Sequence, residues 1–203
     1  MSRRLQRGDR LVVATHNAGK MEEIAALMAP HGVEVTSAGA LGLPVPEETE
    51  ASFTGNARLK ARAAAQATGL PALADDSGLS VAALDGAPGV HTADWAETGA
   101  GRDFAMAMAR VWQELEAAGA PEPRRAAFRC ALVLVWPDGA EVAVEGRVEG
   151  RIVWPGRGDL GHGYDPIFQP DGHDVTFGEM DRWEKNRMSH RGVAFRALVA
   201  AAL

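Results

Sequence analysis

The stretch that most constrains the fold spans residues 71–79, Pro-Ala-Leu-Ala-Asp-Asp-Ser-Gly-Leu. Its apolar run predicts a buried strand that ends where Asp75 and Asp76 are followed by a hydroxyl and a glycine. On this stretch alone a turn is the simpler interpretation, because Asp and Ser bond their own backbone and Gly accepts a positive φ. The alternative is a site for a hard divalent cation such as Mg²⁺, which prefers oxygen ligands.

Composition restricts the class of protein. With 203 residues, 46% of them hydrophobic, the chain can bury one substantial core, as one domain or as one domain with two lobes. A formal net charge of −6 argues against a general nucleic-acid binder, which needs a basic surface. The single Cys130 lies in an apolar run and has no partner for an internal disulfide, which fits a reducing cytoplasm.

The N-terminal ten residues are basic and contain four arginines. The apolar run after them, residues 11–14, is too short for the apolar region of a signal peptide or for a membrane span. We therefore expect a soluble cytoplasmic protein, with residues 1–10 as a basic N-terminal extension and residues 11–203 as one domain.

Short apolar runs alternate with helical patterns along the chain. Strands are predicted at residues 11–15, 32–36, 71–74, 80–84, 125–136 and 141–153, and helices at 21–28, 52–68, 102–118 and 190–203. Residues 137–139, Pro-Asp-Gly, lie between the two longest strands and predict a hairpin. These elements predict an α/β protein.

The segment between the first strand and the first helix is a candidate anion site. It consists of small or polar residues that end in a lysine: Thr15, His16, Asn17, Ala18, Gly19 and Lys20. A helix N-terminus presents backbone N–H groups and the positive end of its dipole to an anion. The alternative is an ordinary capped helix start. The pattern of a Walker P-loop is absent.

Lysine is rare in this chain, since Lys20, Lys60 and Lys185 are the only lysines among 21 Lys and Arg residues. A compact ammonium group suits some sites better than a guanidinium group. Each lysine also lies near one of the three asparagines, and Asn56 and Lys60, four residues apart, share one helix face. This pattern favours a functional role for the lysines, although coincidence is the alternative.

Two segments near the C-terminus are further candidates. Residues 156–168 contain four glycines, which let the backbone approach a ligand, and His162 and Tyr164 offer flat rings for a base. The alternative is a glycine-rich surface connector. Further on, Ser189 is a natural N-cap, and His190 and Arg191 at that helix start suit an anion or a carbonyl oxygen.

Seven motifs in one order resemble the inosine/xanthosine triphosphate pyrophosphatase family. They are Thr15-x-Asn17-x-x-Lys20, the Glu-Glu-Thr of residues 47–49, Ser52-Phe-x-x-Asn56-Ala-x-x-Lys60-Ala, the Ala-Asp-Asp-Ser-Gly-Leu of 74–79, the Gly-Ala-Pro-Gly of 86–89, the Gly-Tyr-Asp-Pro-Ile-Phe of 163–168 and the Ser-His-Arg-Gly of 189–192. Each motif is weak alone, but together they cover essentially the whole chain after residue 10.

The resemblance implies a long twisted mixed β-sheet flanked by helices, in two lobes with a central active-site cleft. It also implies cleavage between the α and β phosphates of ITP, dITP, XTP or dXTP, which gives the monophosphate and pyrophosphate. Mg²⁺ would be required, and a homodimer is expected. A base preference for pyrimidine or modified nucleotides, or a module that binds nucleotides without cleaving them, remains an alternative.

Matching positions carry roles only through this resemblance. Asp76 would be the general base and a metal ligand, Glu47 a second metal ligand and Asp75 a supporting one, while Lys60 would assist catalysis. The residues that would bind the nucleotide are Thr15, His16, Asn17, Ala18, Gly19, Lys20, Asn56, Ser77, His162, Gly163, Tyr164, Asp165, Lys185, His190 and Arg191. His162 stands where the family usually has Phe, and His16 where it often has Gly.

Overall fold

The computed structural model describes residues 3–203; Met1 and Ser2 of the predicted N-terminal extension lie outside the described residues. The first elements in chain order are β1 (Arg10–Val13), α1 (Ala18–Met28), β2 (Glu34–Ser37), α2 (Phe53–Thr68) and β3 (Ala72–Val81). They are followed by β4 (Glu97–Thr98), β5 (Gly101–Arg102), α3 (Phe104–Ala117), β6 (Arg125–Val135), β7 (Glu141–Ile152), β8 (Phe168–Pro170), α4 (Arg182–Met188) and α5 (His190–Ala202).

Six strands form one mixed sheet in the order β2-β1-β3-β6-β7-β8. Strand β1 pairs in parallel with both β2 and β3, whereas β7 and β8 are antiparallel. Strands β4 and β5 make a separate antiparallel pair. The predicted hairpin is confirmed, because β6 and β7 are neighbours and the Trp136 N–H donates to the Ala140 carbonyl across the turn. The prediction of a mixed sheet flanked by helices is therefore confirmed.

The chain divides into two compact units. The first contains the residues up to Asp76 together with Cys130–Glu145 and Ala194–Leu203, and the second contains Ser77–Arg129 and Gly146–Val193. The points of division lie within β3, β6 and β7 and just inside α5. Each unit has its own hydrophobic core.

The core of the first unit is built on one face of the parallel strands. Leu11, Val13 and Leu73 of β1 and β3 are buried with Ile24 and Met28, which lie one turn apart on α1. Cys130 lies in the same core, as the sequence predicts for a small apolar side chain. Leu5 is also buried there, and its N–H donates to the Ala202 carbonyl, so part of the predicted extension packs against the C-terminal helix.

The core of the second unit joins α3 to the glycine-rich segment. Ala107, Val111 and Leu115 recur at helical spacing on α3 and are completely buried. The same core contains Tyr164 and the phenylalanines of residues 128, 168 and 177. Within the described residues, no helix is long and apolar enough to cross a membrane.

Several elements differ from the prediction. The strand predicted to end before Asp75 continues to Val81, and residues 82–84 form a short 3₁₀ turn where a strand was expected. The short strands β4, β5 and β8 and the helix α4 were not predicted. Helix α4 is only seven residues long, and the Asp181 carboxylate caps it by accepting the N–H groups of Trp183 and Glu184.

Candidate active site

The two adjacent carboxylates lie in the middle of β3 and not in a turn. Asp75 and Asp76 are 4% and 7% exposed, and β3 lies between β1 and β6 in the sheet. The interpretation of this stretch as a turn is therefore wrong. Because consecutive side chains of a strand point to opposite faces, the two carboxylates meet different partners. A buried carboxylate needs such partners, since loss of water otherwise makes its charged form costly.

Asp75 lies on the face of β3 that α1 covers. The Lys20 ammonium donates to both oxygens of Asp75, at 3.1 and 2.9 Å. Lys20 occupies the first turn of α1, and the Asn17 side-chain oxygen caps that helix by accepting the Lys20 N–H at 3.0 Å. The Asn17 N–H donates in turn to the Thr15 hydroxyl. The start of α1 is therefore capped by Asn17 and also carries the lysine that pairs with Asp75.

Asp76 contacts two polar residues of α2, Asn56 and Lys60. The Asn56 amide donates to Asp76 Oδ2 at 3.2 Å, and Lys60 Nζ lies 3.8 Å from Asp76 Oδ1. The predicted shared face of Asn56 and Lys60 is confirmed by these contacts. The Asn56 oxygen accepts the Glu50 N–H, which fixes the orientation of the amide. Lys60 also donates to Glu48 Oε1 at 2.6 Å.

Negative charge exceeds positive charge around Asp76. Burial raises the pKa of Asp76 to about 6, and the neighbouring Glu48 and Asp75 add to this effect against the attraction of Lys60. Burial alone would lower the pKa of Lys60, but Asp76, Asp75 and Glu48 outweigh it, so that the pKa is raised. A further cation next to Asp76 would stabilise the charged form of its carboxylate.

A cavity of about 350 Å³ opens beside the N-terminus of α1. It is lined by residues that follow β1 and β2 and by the first turns of α1: Thr15, His16, Asn17, Ala18, Met21, Glu22, Ser37, Gly39 and Ala40. His16 Nε2 is 2.8 Å from the Leu43 carbonyl oxygen, which ties the loop after β2 to this segment. The predicted anion segment of residues 15–20 therefore borders an open space.

The glycine-rich segment of the second unit is organised by Asp165. Its buried carboxylate accepts the backbone N–H of His162 at 2.6 Å and forms an ion pair with Lys185 of α4. Gly161 has a φ of +82°, and a Cβ at this position would lie 2.2 Å from Asp165 Oδ2. Glycine is required at 161 because the backbone passes so close to the carboxylate.

The start of α5 carries the remaining predicted residues. Ser189 caps the helix, since its hydroxyl accepts the Gly192 N–H at 3.1 Å. The Arg191 guanidinium donates to the Ser77 hydroxyl at 3.3 Å, and the His190 ring is buried and stacks on Phe128. The predicted cap is confirmed, and His190 and Arg191 lie in the first turn of a helix.

Comparison with known proteins identifies the family of this chain. A model of the Ham1 family matches residues 11–201. The chain belongs to the Ham1 family. The resemblance that the seven motifs predict is therefore confirmed.

Two Ham1 relatives are very similar in sequence. The dITP/XTP pyrophosphatase of Ruegeria pomeroyi is 63% identical over 192 residues, which cover 95% of this chain and 94% of the relative. The dITP/XTP pyrophosphatase of Caulobacter vibrioides is 59% identical, with coverage of 96% and 98%. A solved HAM1 protein from Coxiella burnetii superposes with a TM-score of 0.89 at 39% identity and covers 95% of this chain and 97% of that protein.

Glu47, one of the predicted metal ligands, is exposed, and its role stays a prediction. The neighbouring Glu48 is also exposed, but it pairs with Lys60 and adds to the effect of burial on the pKa of Asp76. Glu48 was not predicted, because two adjacent glutamates in a loop give no signal of which one contacts a lysine. Over residues 3–203, no three Asp, Glu, His or Cys side chains are grouped closely enough to hold a metal by themselves.

The ring of Tyr164 is buried. The expectation that it offers a flat face to a base is wrong, because Tyr164 is 1% exposed and packs edge-to-face on Phe104. Its hydroxyl donates to the Thr92 carbonyl at 2.9 Å, and burial raises the pKa of the phenol. Tyr164 therefore anchors the segment from inside the second core. Gly163, by contrast, keeps the backbone of this segment in a left-handed conformation with φ +65°.

We expect His162→Phe to retain activity. The His162 backbone N–H makes the contact with Asp165, whereas the exposed imidazole is replaceable. Exposed substitutions of this kind change stability by less than about 0.5 kcal/mol. Measuring kcat/KM and the thermal midpoint of both proteins checks this, and a large loss of kcat/KM would show that the imidazole makes a polar contact with the substrate.

Proposed function

We propose that this chain hydrolyses non-standard purine nucleoside triphosphates, namely dITP, ITP, XTP and dXTP, to the nucleoside monophosphate and pyrophosphate, and so removes them from the nucleotide pool. The observation that carries the proposal is 63% identity over 95% of the chain to a protein named dITP/XTP pyrophosphatase. The buried pair Asp75 and Asp76, with a lysine on each carboxylate, supplies chemistry suited to that reaction.

The carboxylate oxygens of the first unit are ligands of the kind that Mg²⁺ prefers. This ion usually takes one or two carboxylates from the protein and completes its shell with waters and substrate phosphates, so a set of three protein ligands is not needed. Asp76 would hold it, with Glu48 or Glu47 at its edge, whereas Asp75 faces Lys20 on the other side of β3 and would only support the site electrostatically. Burial, together with the charges of Glu48 and Asp75, raises the pKa of Asp76, and a cation beside this carboxylate would offset that cost.

Positive groups of the first unit would bind the polyphosphate. Each lysine about 4 Å from a phosphate charge contributes on the order of 4 kcal/mol at an effective dielectric constant near 20, before desolvation costs. Lys20, Lys60 and the N–H groups of residues 15–19 at the start of α1 are these groups, and residues 15–18 line the open cavity. Local charge can thus overcome the net charge of −6.

Asp76 would accept a proton from the attacking water at Oδ1, the oxygen nearer to Lys60. Its pKa of about 6 suits a base near neutral pH. Asn56 holds Oδ2 and so fixes the carboxylate. The chemistry that Mg²⁺ supplies when bound is neutralisation of phosphate oxygens and a lower pKa for a coordinated water. The rest of the catalysis is positioning and charge stabilisation by protein residues.

Groups of the second unit would recognise the base. Lys185, Arg191 and the backbone N–H groups of the segment around Gly163 are donors, and a 6-oxo purine offers a carbonyl acceptor. Adenine presents an amino group at the same position. A site built from donors rejects such a substrate by a factor on the order of 10⁴, because its own donors remain unpaired.

Hydrolysis of a nucleotide panel tests the proposal. The full chain is assayed with Mg²⁺ against ITP, dITP, XTP, GTP, ATP and dTTP, with detection of pyrophosphate, and again with EDTA. We expect rapid cleavage of ITP, dITP and XTP, little cleavage of ATP or GTP, and loss of activity with EDTA. Preferential cleavage of dTTP would indicate a different base preference, and binding without any pyrophosphate would indicate a binding module.

We also propose that the protein acts in the cytoplasm as a homodimer whose ligand is a small-molecule nucleotide. The support is the family resemblance and, for the cytoplasm, the single buried cysteine. Size-exclusion chromatography with light scattering would give twice the chain mass of 21.5 kDa. A mass equal to one chain at micromolar concentration would contradict the dimer.

A further inference from the structure

Phe128 of β6 contacts the His190 ring although it belongs to none of the seven motifs. The two ring centroids are 4.9 Å apart and the planes differ by 12°, so the rings stack face to face. Phe128 is 6% exposed and His190 is 8% exposed. The pair therefore lies away from bulk water, where a stacked contact restricts the orientation of a ring most effectively.

Phe128 is itself held by two other rings. Phe168 packs edge-to-face on it at 4.7 Å, and Phe177 stacks on it at 5.9 Å. Both of those phenylalanines are completely buried, and the Phe177 N–H donates to the Phe168 carbonyl. The three phenylalanines, called here the phenylalanine cluster, form a rigid platform in the core of the second unit.

The phenylalanine cluster also lies against a second residue that the proposed function uses. Lys185 Nζ is 5.5 Å from the centroid of the Phe177 ring, within the range of a cation–π contact. One platform thus supports both His190 and Lys185. Phenylalanine rings carry no charge and no hydrogen-bonding group. They can therefore position His190 and Lys185 and leave the nitrogen atoms of both side chains available for hydrogen bonds.

We propose that Phe128 is a positioning residue for base recognition and acts through His190. The inference rests on the proposed function. The Ser189 cap fixes the backbone at His190, and the Phe128 ring fixes the plane of the imidazole by covering one face. Ring nitrogens form hydrogen bonds in the plane of the ring. A fixed plane therefore aims these nitrogens at the edge of a purine, where the 6-oxo group is read.

The test compares Phe128→Leu with Phe168→Leu in the full chain. Both variants remove one ring from the same cluster, but Phe128→Leu removes the ring that stacks on His190. We expect Phe128→Leu to raise KM for ITP by about 3- to 10-fold, the effect that a stacked aromatic pair predicts, with kcat little changed. Phe168→Leu should lower the thermal midpoint similarly and raise KM by clearly less than Phe128→Leu does, because the Phe128 ring remains on His190.

A double-mutant cycle with His190→Ala tests whether Phe128 changes KM through His190. In the His190→Ala background, Phe128→Leu should raise KM by less than about 2-fold, because the side chain through which Phe128 acts is gone. Phe128→Met keeps the volume of the side chain without the flat ring and should reproduce the KM effect. If Phe128→Leu does not fold, Phe128→Met takes its place in every measurement.

Three results would overturn the inference. They are equal KM values for the Phe128 variant and Phe168→Leu, an undiminished Phe128 effect in the His190→Ala background, and a His190→Ala KM equal to that of the wild type. Failure of the proposed function looks different, because the wild-type protein would then release no pyrophosphate from ITP. In that case the same cycle is run on the dissociation constant for ITP, and the same three results decide it.

Discussion

Asp76→Asn is expected to remove most of the turnover and to make the metal-free protein more stable at neutral pH. Loss of a general base commonly costs about 10²- to 10⁴-fold in rate. Asparagine keeps the size of the side chain, and its oxygen can still accept the Asn56 amide, so the fold should be retained. The opposite directions of the two effects distinguish a functional carboxylate from a structural one.

The sign of the stability effect follows from the raised pKa. Burial raises the pKa of Asp76 from 3.8 to about 6, so the folded protein binds the proton more tightly than the unfolded chain does. The free energy of unfolding therefore falls as the pH rises from about 4 to about 6 and is lowest above that range. A pKa difference of this size corresponds to about 3 kcal/mol at most. It already contains the opposing attraction of Lys60, so the gain for asparagine should not exceed this value.

Urea unfolding of both proteins in EDTA at pH 4, 5, 6, 7 and 8 measures this effect. The stability advantage of Asp76→Asn should be small at pH 4, grow through pH 6 and stay constant at pH 7 and 8. Asp174→Asn, an exposed acid-to-amide change outside the site, is the control and should follow the wild type. If Asp76→Asn were no more stable than the wild type at pH 7, Asp76 would be well solvated and its pKa unshifted.

Features that depend on a few consecutive residues could be predicted from the sequence. Helix α2 begins after Ser52, whose hydroxyl accepts the Gly55 N–H, and ends at Gly69 with φ +67°. Helix α5 likewise begins after the predicted cap Ser189. Such signals are local, because a cap satisfies N–H groups only two or three residues away. The roles of the candidate site residues, by contrast, came from the resemblance of short motifs to a known family.

Features that depend on distant partners could not be predicted. Asp75 and Asp76 look like the end of a strand, yet β3 continues to Val81, well beyond its pairing with β1 at Ala72 and Leu73, and Lys20 and Asn56 bind the two carboxylates. Tyr164 is the chain's only tyrosine and was expected at a ligand. Its burial depends on Phe104, sixty residues earlier in the chain. The residues that neighbour Asp75, Asp76 and Tyr164 in the sequence give no indication of these distant partners.

The second large effect is expected from Lys185→Met, which should weaken both stability and hydrolysis of ITP. The Asp165 side chain is only 3% exposed and pairs with Lys185, which is 16% exposed. Removal of one partner from a buried ion pair leaves an uncompensated charge and typically costs about 3–5 kcal/mol. We therefore expect a clear fall in the urea midpoint. Arg182→Met removes an exposed cation from the same helix, α4, and should leave the midpoint almost unchanged.

A double variant, Lys185→Met with Asp165→Asn, separates the structural role of Lys185 from its role in binding. Asparagine cannot carry the buried charge, and its oxygen can still accept the His162 N–H, so much of the lost stability should return. Activity should not return, because the donor proposed for the 6-oxo group is still absent, and kcat/KM for ITP should stay about 100-fold or more below the wild type. Recovery of activity together with stability would mean that Lys185 serves only to hold Asp165 and its loop in place. An unchanged urea midpoint for Lys185→Met alone would show that water compensates the Asp165 charge, and the buried pair would then contribute little to the fold.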